Sequence, residues 1–321
     1  MLCKRLILIH GRSAKPRRAQ KEAYVRQALL HGLARVSAEA ARRVRDGEVE
    51  ASLVYYGDVV NRIMCEARPA LRATMELDAD GTFYEKDGCD DGAMAALLAR
   101  PTDGHTRAEY RRLVREHKDR RYLDDLARAL STLLPNSLSR RIILSQTPDL
   151  HRYITSHRTG SQIRQRLQGP MAVALAAGED VAIVAHSMGS IASYDVLWKF
   201  SHMSEYETLH GKRVSLWLTL GSPLGDPAVR ACLWDSNEGD DGRYPRNVDR
   251  WINVAAHDDF VAHDGSVADD FHGMKAHGCE ITDLPRIYAF WVGEGGSNPH
   301  KFYGYLDHPV VAGEVARWVV G

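Results

Sequence analysis

The 321-residue sequence has no excess of charge of either sign, with 42 Lys and Arg against 42 Asp and Glu. A balanced chain has no general attraction for nucleic acid or an anionic membrane, so no nucleic-acid partner is expected and an anionic partner must be met by a local patch. Cysteine is scarce. The five residues Cys3, Cys65, Cys89, Cys232 and Cys279 are odd in number and scattered. With no C-x-x-C pair among them, the usual zinc and redox dithiol patterns are excluded, and a reduced, cytoplasmic setting is expected. No run of eighteen apolar residues occurs, so a membrane span is not expected. The apolar run at residues 6–9 gives way to His10-Gly11-Arg12 too soon for a signal peptide.

Short, continuous apolar runs separated by helical stretches are present instead, at residues 6–9, 51–55, 181–185, 214–220, 251–255 and 287–292. Strands buried on both faces read this way, because neither face needs polar residues. Residues 18–36 carry Val25, Ala28, Leu29, Leu33 and Val36 at helical spacing. Residues 150–177 read as helix interrupted at Gly169-Pro170, residues 190–200 as the helix leaving the third strand, and Asp307 with Pro309 as the start of a final helix. The alternation predicts an α/β fold: an open, doubly wound, mostly parallel sheet of about six strands with helices on both faces. A site is then expected at the carboxyl ends of the strands.

The stretch 59–147 breaks the alternation and reads as a mainly helical insertion between core segments 1–58 and 148–321, placed to act as a lid. Its Asp78-Ala79-Asp80-Gly81 piece has glycine too early for an EF-hand loop and reads as a turn. Leu123, Leu126, Leu130, Leu133 and Leu134 form an apolar helical stripe. Residues 107–121 hold seven Lys or Arg against three acidic residues, a patch that leaves peripheral contact with an anionic membrane surface open beside the simpler reading of a solvated helix face.

The segment Val181-Ala182-Ile183-Val184-Ala185-His186-Ser187-Met188-Gly189-Ser190 carries the most chemical information. A β-branched strand stops at a turn of small residues around one serine, and a helix follows. Small residues two before and two after the serine let the backbone bend sharply and lift the hydroxyl clear of the sheet. The Met188 N–H at the helix start can then face a developing oxyanion.

Together with His10-Gly11, Thr219-Leu220-Gly221-Ser222-Pro223-Leu224-Gly225, Trp251-Ile252-Asn253-Val254 and Asn298-Pro299-His300, this segment resembles the lipase and esterase branch of the α/β-hydrolase superfamily. The resemblance covers the core and leaves the insertion out, and Ala185 stands where the family pattern usually has its first glycine. It implies a nucleophile Ser187, a second oxyanion donor at the Arg12 N–H, and pocket or loop roles for His10, Gly11, His186 and Ser222. Its chain order of serine, acid, histidine puts the acid after the fifth run, and the Phe260-Val261 that follows, like the family's continuation, favours Asp259 over its neighbour Asp258. The base falls after the last run, where His300 in a Gly- and Asn-rich loop is favoured over His308 at the start of the final helix.

The implied activity is hydrolysis of a small-molecule or lipid carboxylic ester through an acyl-enzyme, with no cofactor. Thioesterase, amidase and acyltransferase chemistry on the same triad, or a binding role for the insertion, remain the alternatives. The cluster His257, Asp258, Asp259, His263, Asp264, Asp269, Asp270, His272 and His277 fits no metal-ligand spacing and reads as a polar loop holding the acid.

Overall fold

Alternate residues of each central run face opposite helix layers. Leu6, Leu8, Ala182, Val184, Leu216, Leu218, Leu220, Ile252 and Val254 share one buried cluster, while Ile7, Ile9, Val181, Ile183, Ala185, Trp217 and Trp251 share the other. The period of two along a strand sends them apart, which is why these runs are apolar throughout. The computed structural model describes residues 3–117, 147–239 and 242–321.

Its main sheet joins β1 (Lys4–Ile9), β2 (Val49–Val54), β5 (Asp180–His186), β6 (Leu216–Leu220), β7 (Arg250–Val254) and β8 (Glu280–Asp283) in the order β2-β1-β5-β6-β7-β8, all parallel. A hairpin of β3 (Met75–Leu77) and β4 (Phe83–Glu85) lies apart from it. The helices among the described residues, in chain order, are α1 (Arg18–Val36), α2 (Ala38–Arg45), α3 (Gly57–Ala67), α4 (Asp91–Leu98), α5 (Arg107–Glu116), α6 (Pro148–Thr155), α7 (His157–Ala176), α8 (Met188–His202), α9 (Pro227–Arg230), α10 (Phe302–Leu306) and α11 (Pro309–Val320). Helices α1, α10 and α11 bury Val25, Leu29, Leu306, Val315 and Val319 on one face of the sheet, and α3, α7 and α8 bury Val60, Leu167, Met171 and Ile191 on the other.

From β1 the chain steps outward to β2, then returns to β5 on the other side of β1. The switch point therefore lies between β1 and β5, and the crevice outside their carboxyl ends is framed by the loop after Ile9 and the turn at Ser187. Among the described residues no helix is long and apolar enough to cross a membrane.

Three expectations are corrected. The sixth strand is Glu280–Asp283, not residues 287–292. Pro285 has no N–H to donate, and across it the pairing offset to β7 changes from 30 residues (Asp283 with Asn253) to 31 (Ile287 with Ala256). Beyond that single bridge the segment leaves the sheet, and Ala289, Phe290 and Trp291 are buried against the α1 and α11 layer. Helix α7 runs unbroken through Pro170; the break falls at Ser156, whose Oγ accepts the Thr159 N–H at 3.3 Å. A proline inside a helix costs roughly 3 kcal/mol, and the buried stripe Ile163, Leu167, Met171, Ala174 and Leu175 offsets it. The cap of α11 is His308, whose Nδ1 accepts the Val310 N–H at 3.1 Å, not Asp307. Asp307 is buried and taken up by His31 at 2.6 Å and Arg35 at 2.9 Å.

Within the insertion, Gly81 N–H closes the Asp78 turn at 2.9 Å. The described part is bound tightly to the core: Met94, Leu97 and Tyr110 are buried in the α1 cluster, Asp90 pairs with Lys301 at 2.7 Å, and the Glu85 N–H donates to the Lys15 carbonyl at 3.1 Å. The Leu123 to Leu134 stripe and the end of the basic segment lie outside the described residues.

Candidate active site

β5 ends at His186, and Ser187 turns the chain with φ 55° and ψ −126° before α8 begins at Met188. A left-handed φ is costly for a residue with a side chain, so the surroundings must enforce it. Here the Ser187 N–H is tied to the Leu220 carbonyl at 3.0 Å, and its carbonyl accepts the Ser190 N–H at 2.8 Å. Gly189 packs against the loop after β1, where a Cβ would fall 2.8 Å from the His10 carbonyl oxygen and 2.9 Å from that of Ile9.

The loops after β7 and before α10 meet at this serine. His300 Nε2 lies 2.9 Å from Ser187 Oγ, and His300 Nδ1 lies 2.8 Å from Asp259 Oδ2 and 3.0 Å from Oδ1. An ionised carboxylate only accepts, so the imidazole proton sits on Nδ1 and Nε2 is left to accept from the serine hydroxyl. Gly221 makes room for the pair: its φ is 55°, and a Cβ there would fall 2.8 Å from Asp259 Oδ2 and 3.0 Å from His300 Nδ1.

Asp259 is buried. Burial pushes its carboxyl up, but His300 beside it, Tyr305 and the Ala262 N–H together hold it below the usual carboxylate range. Asp258, one residue earlier, is exposed with φ 60° and lines a separate cleft with Arg107, Tyr110, Arg111 and Tyr288. His308, the other candidate base, is the buried cap of α11, its ring 4.9 Å from His105.

Tyr305 is a further part of the site that sequence reasoning did not single out. Its hydroxyl accepts the Ala256 N–H at 2.8 Å and donates to Asp259 Oδ2 at 2.6 Å. No local pattern announces it, because a tyrosine in a short aromatic helix reads as core. His186, expected in a pocket or loop role, donates from Nε2 to the His300 carbonyl at 2.7 Å and stacks on Phe302 at 4.9 Å. Burial, then the charge of His300, pushes its pKa far below the ordinary imidazole value, so His186 stays neutral.

His10 is also buried and neutral, its pKa pushed down by burial and then by Lys15 and Lys21. Nδ1 donates to the Gly11 carbonyl at 2.8 Å and Nε2 accepts the Tyr56 N–H at 3.1 Å, while the ring stacks on Tyr56 at 4.0 Å. It shapes the loop. Gly11 lies against Ser187, where a Cβ would fall 2.5 Å from the Ser187 Cβ. Ser222 is buried and accepts the Leu224 N–H at 3.2 Å, a turn role.

Arg12 and Met188 share the wall of one cavity with Ser187. The cavity measures about 70 Å³, and its other described walls include Leu150, Ile191, Pro223, Val229 and Val261, so it is mainly apolar. Met188 opens α8, where helix geometry leaves the N–H without an acceptor four residues back. The residues of the His- and Asp-rich segment 257–277 are spread over different contacts, with His257 stacked on Tyr288 at 4.3 Å and Asp269 accepting from Ser266 at 2.6 Å. Among the described residues no group of three or more His, Cys, Asp or Glu gathers as a metal site.

Compared with known proteins, the chain matches no family model, no curated protein and no solved structure. The case for a function rests on this geometry.

Proposed function

We propose that the chain is a serine hydrolase of the α/β-hydrolase type, cleaving a carboxylic ester through an acyl-enzyme. The observation that carries this reading is the unbroken relay Ser187–His300–Asp259, with contacts of 2.9 and 2.8 Å at the switch point of a doubly wound sheet. Ser187 Oγ attacks the ester carbonyl carbon while its proton passes to His300 Nε2. Asp259 holds the ring in the required tautomer and stabilises the imidazolium. The N–H groups of Met188 and Arg12 hold the negative oxygen of the tetrahedral intermediate. On collapse the C–O bond to the alcohol breaks, and His300 returns the proton to the departing alkoxide. Water, deprotonated by the same histidine, then attacks the acyl-enzyme, releasing the acid and restoring Ser187.

The small cavity with Leu150, Ile191, Val229 and Val261 on its walls favours a short or slim apolar acyl group. A panel of p-nitrophenyl esters of graded acyl length tests the reading. Turnover greatest for short chains is expected, with the acyl mass on the Ser187 peptide after rapid acid quench. Absence of both turnover and acylation across the panel contradicts it.

A further inference from the structure

The loop after β1 carries a buried cation that the relay does not use. The Lys15 side chain lies under residues 12–14, and its ammonium donates to the carbonyls of Arg12, Ser13 at 2.8 Å and Ala14 at 3.2 Å. An ammonium has three donors, so backbone oxygens take all of them. Among the described residues Lys15 forms no ion pair. Burying a cation without one is expensive, and an apolar side chain of that length would fill the space without the cost.

The three carbonyls converge on one point, and planar trans peptides then send the following N–H groups the other way. Ser13, in the left-handed region at φ 73°, points its N–H to Asp149 Oδ2 at 2.7 Å. Lys15 is itself fixed by Asn61, which accepts its N–H at 2.8 Å and donates to its carbonyl at 2.9 Å. Arg12 is therefore held from both sides: His10 fixes the peptide before it through the Gly11 carbonyl, and Lys15 fixes the peptide after it through the Arg12 carbonyl.

We propose that Lys15 is a positioning residue for the oxyanion site, its charged ammonium gathering the carbonyls of residues 12–14 so that the Arg12 N–H faces the developing oxyanion. The inference rests on the acyl-transfer reading above. It makes turnover depend on the protonation of a group that never touches substrate.

Burial lowers the Lys15 pKa to about 8; Glu85 and Asp149 favour its charge, while Lys301 and Arg12 oppose it. Lys21 of α1 and the neutral His10 also face it. The ammonium persists below that value and is lost as pH rises through it. In the wild type kcat is therefore expected to fall above about pH 8 with little change in KM.

Three variants test this, each checked for folding by circular dichroism. Lys15→Met is expected to lower kcat at pH 7 with KM unchanged, approaching the ~10²- to 10³-fold cost of losing one oxyanion donor. It is also expected to weaken an aryl trifluoromethyl ketone, which forms an oxyanion on Ser187, by a similar factor. Lys15→Arg keeps the charge at every pH and is expected to restore much of kcat while removing the alkaline fall. Glu85→Gln removes a neighbour that favours the ammonium and is expected to move the alkaline fall to lower pH. A folded Lys15→Met with wild-type kcat and ketone affinity overturns the proposal. If Lys15→Met does not fold, an unmoved alkaline fall in folded Glu85→Gln overturns it. A wild type that neither cleaves esters nor binds the ketone would sink the hydrolase reading itself, a result distinct from an active wild type indifferent to Lys15.

Discussion

Ser187 and its two hydrogen-bonded partners are held by different means. Ser187 sits between β5 and α8, and its place follows from backbone geometry: a forced positive φ, strand hydrogen bonds and the absence of a Cβ at Gly189. Asp259 and His300 lie on irregular loops more than forty residues apart in sequence, and side chains hold them there. Tyr305 and the N–H groups of Val261 and Ala262 grip the carboxylate, and His186 grips the His300 carbonyl. A backbone-held group fails when the chain is displaced, whereas a group held by side chains loses its alignment by degrees as contacts are removed.

The two adjacent aspartates give the strongest test of the side-chain-held half. Asp259→Asn removes the correct imidazole tautomer and is expected to lower turnover by up to roughly 10⁴-fold, whereas Asp258→Asn is expected to stay near wild type. Steady-state rates on one activated ester check both, and a severe loss confined to Asp258→Asn would reverse the assignment. In the backbone-held half, Gly189→Ala drives a Cβ into the carbonyls of Ile9 and His10. Displacing the serine by about 1 Å is expected to cost on the order of 10²-fold in kcat. A folded Gly189→Ala variant with normal kcat contradicts the claim that backbone contact sets the position of the serine.

Tyr305→Phe removes one of the several hydrogen bonds to the Asp259 carboxylate, and with it the acceptor of the Ala256 N–H, and should have the smallest effect, about tenfold in kcat or roughly 1.4 kcal/mol, with KM unchanged. If it equals Asp259→Asn in severity, the carboxylate is held by Tyr305 alone and the picture of shared contacts is wrong.

The same contrast explains what could be read from the sequence. The runs at β1, β5, β6 and β7 were legible because both faces of each are buried, and the turn at Ser187 because small residues recur at fixed offsets around it. Glu280-Ile281-Thr282-Asp283 was not legible: as an edge strand it buries only Ile281, while the apolar run at 287–292 is buried by helices, not by strand pairing. Asp259 and His300 could be placed only through the resemblance and chain order, since their juxtaposition depends on loops whose shape no local pattern encodes. Tyr305 and the bond that His186 makes to the His300 loop were beyond reach for the same reason. Their roles come from hydrogen bonds to partners that sequence separation conceals, 46 residues for Tyr305 with Asp259 and 114 for His186 with His300.

The central claim is that Ser187 is an activated nucleophile. Treating the wild type and Ser187→Ala with a fluorophosphonate probe, and mapping the adduct by peptide mass spectrometry, tests it most directly. The account predicts a single adduct on the Ser187 peptide of the wild type, absent from the alanine variant, with wild-type labelling slowed by short-chain ester substrate. Equal labelling of both proteins, or an adduct on another residue, contradicts it.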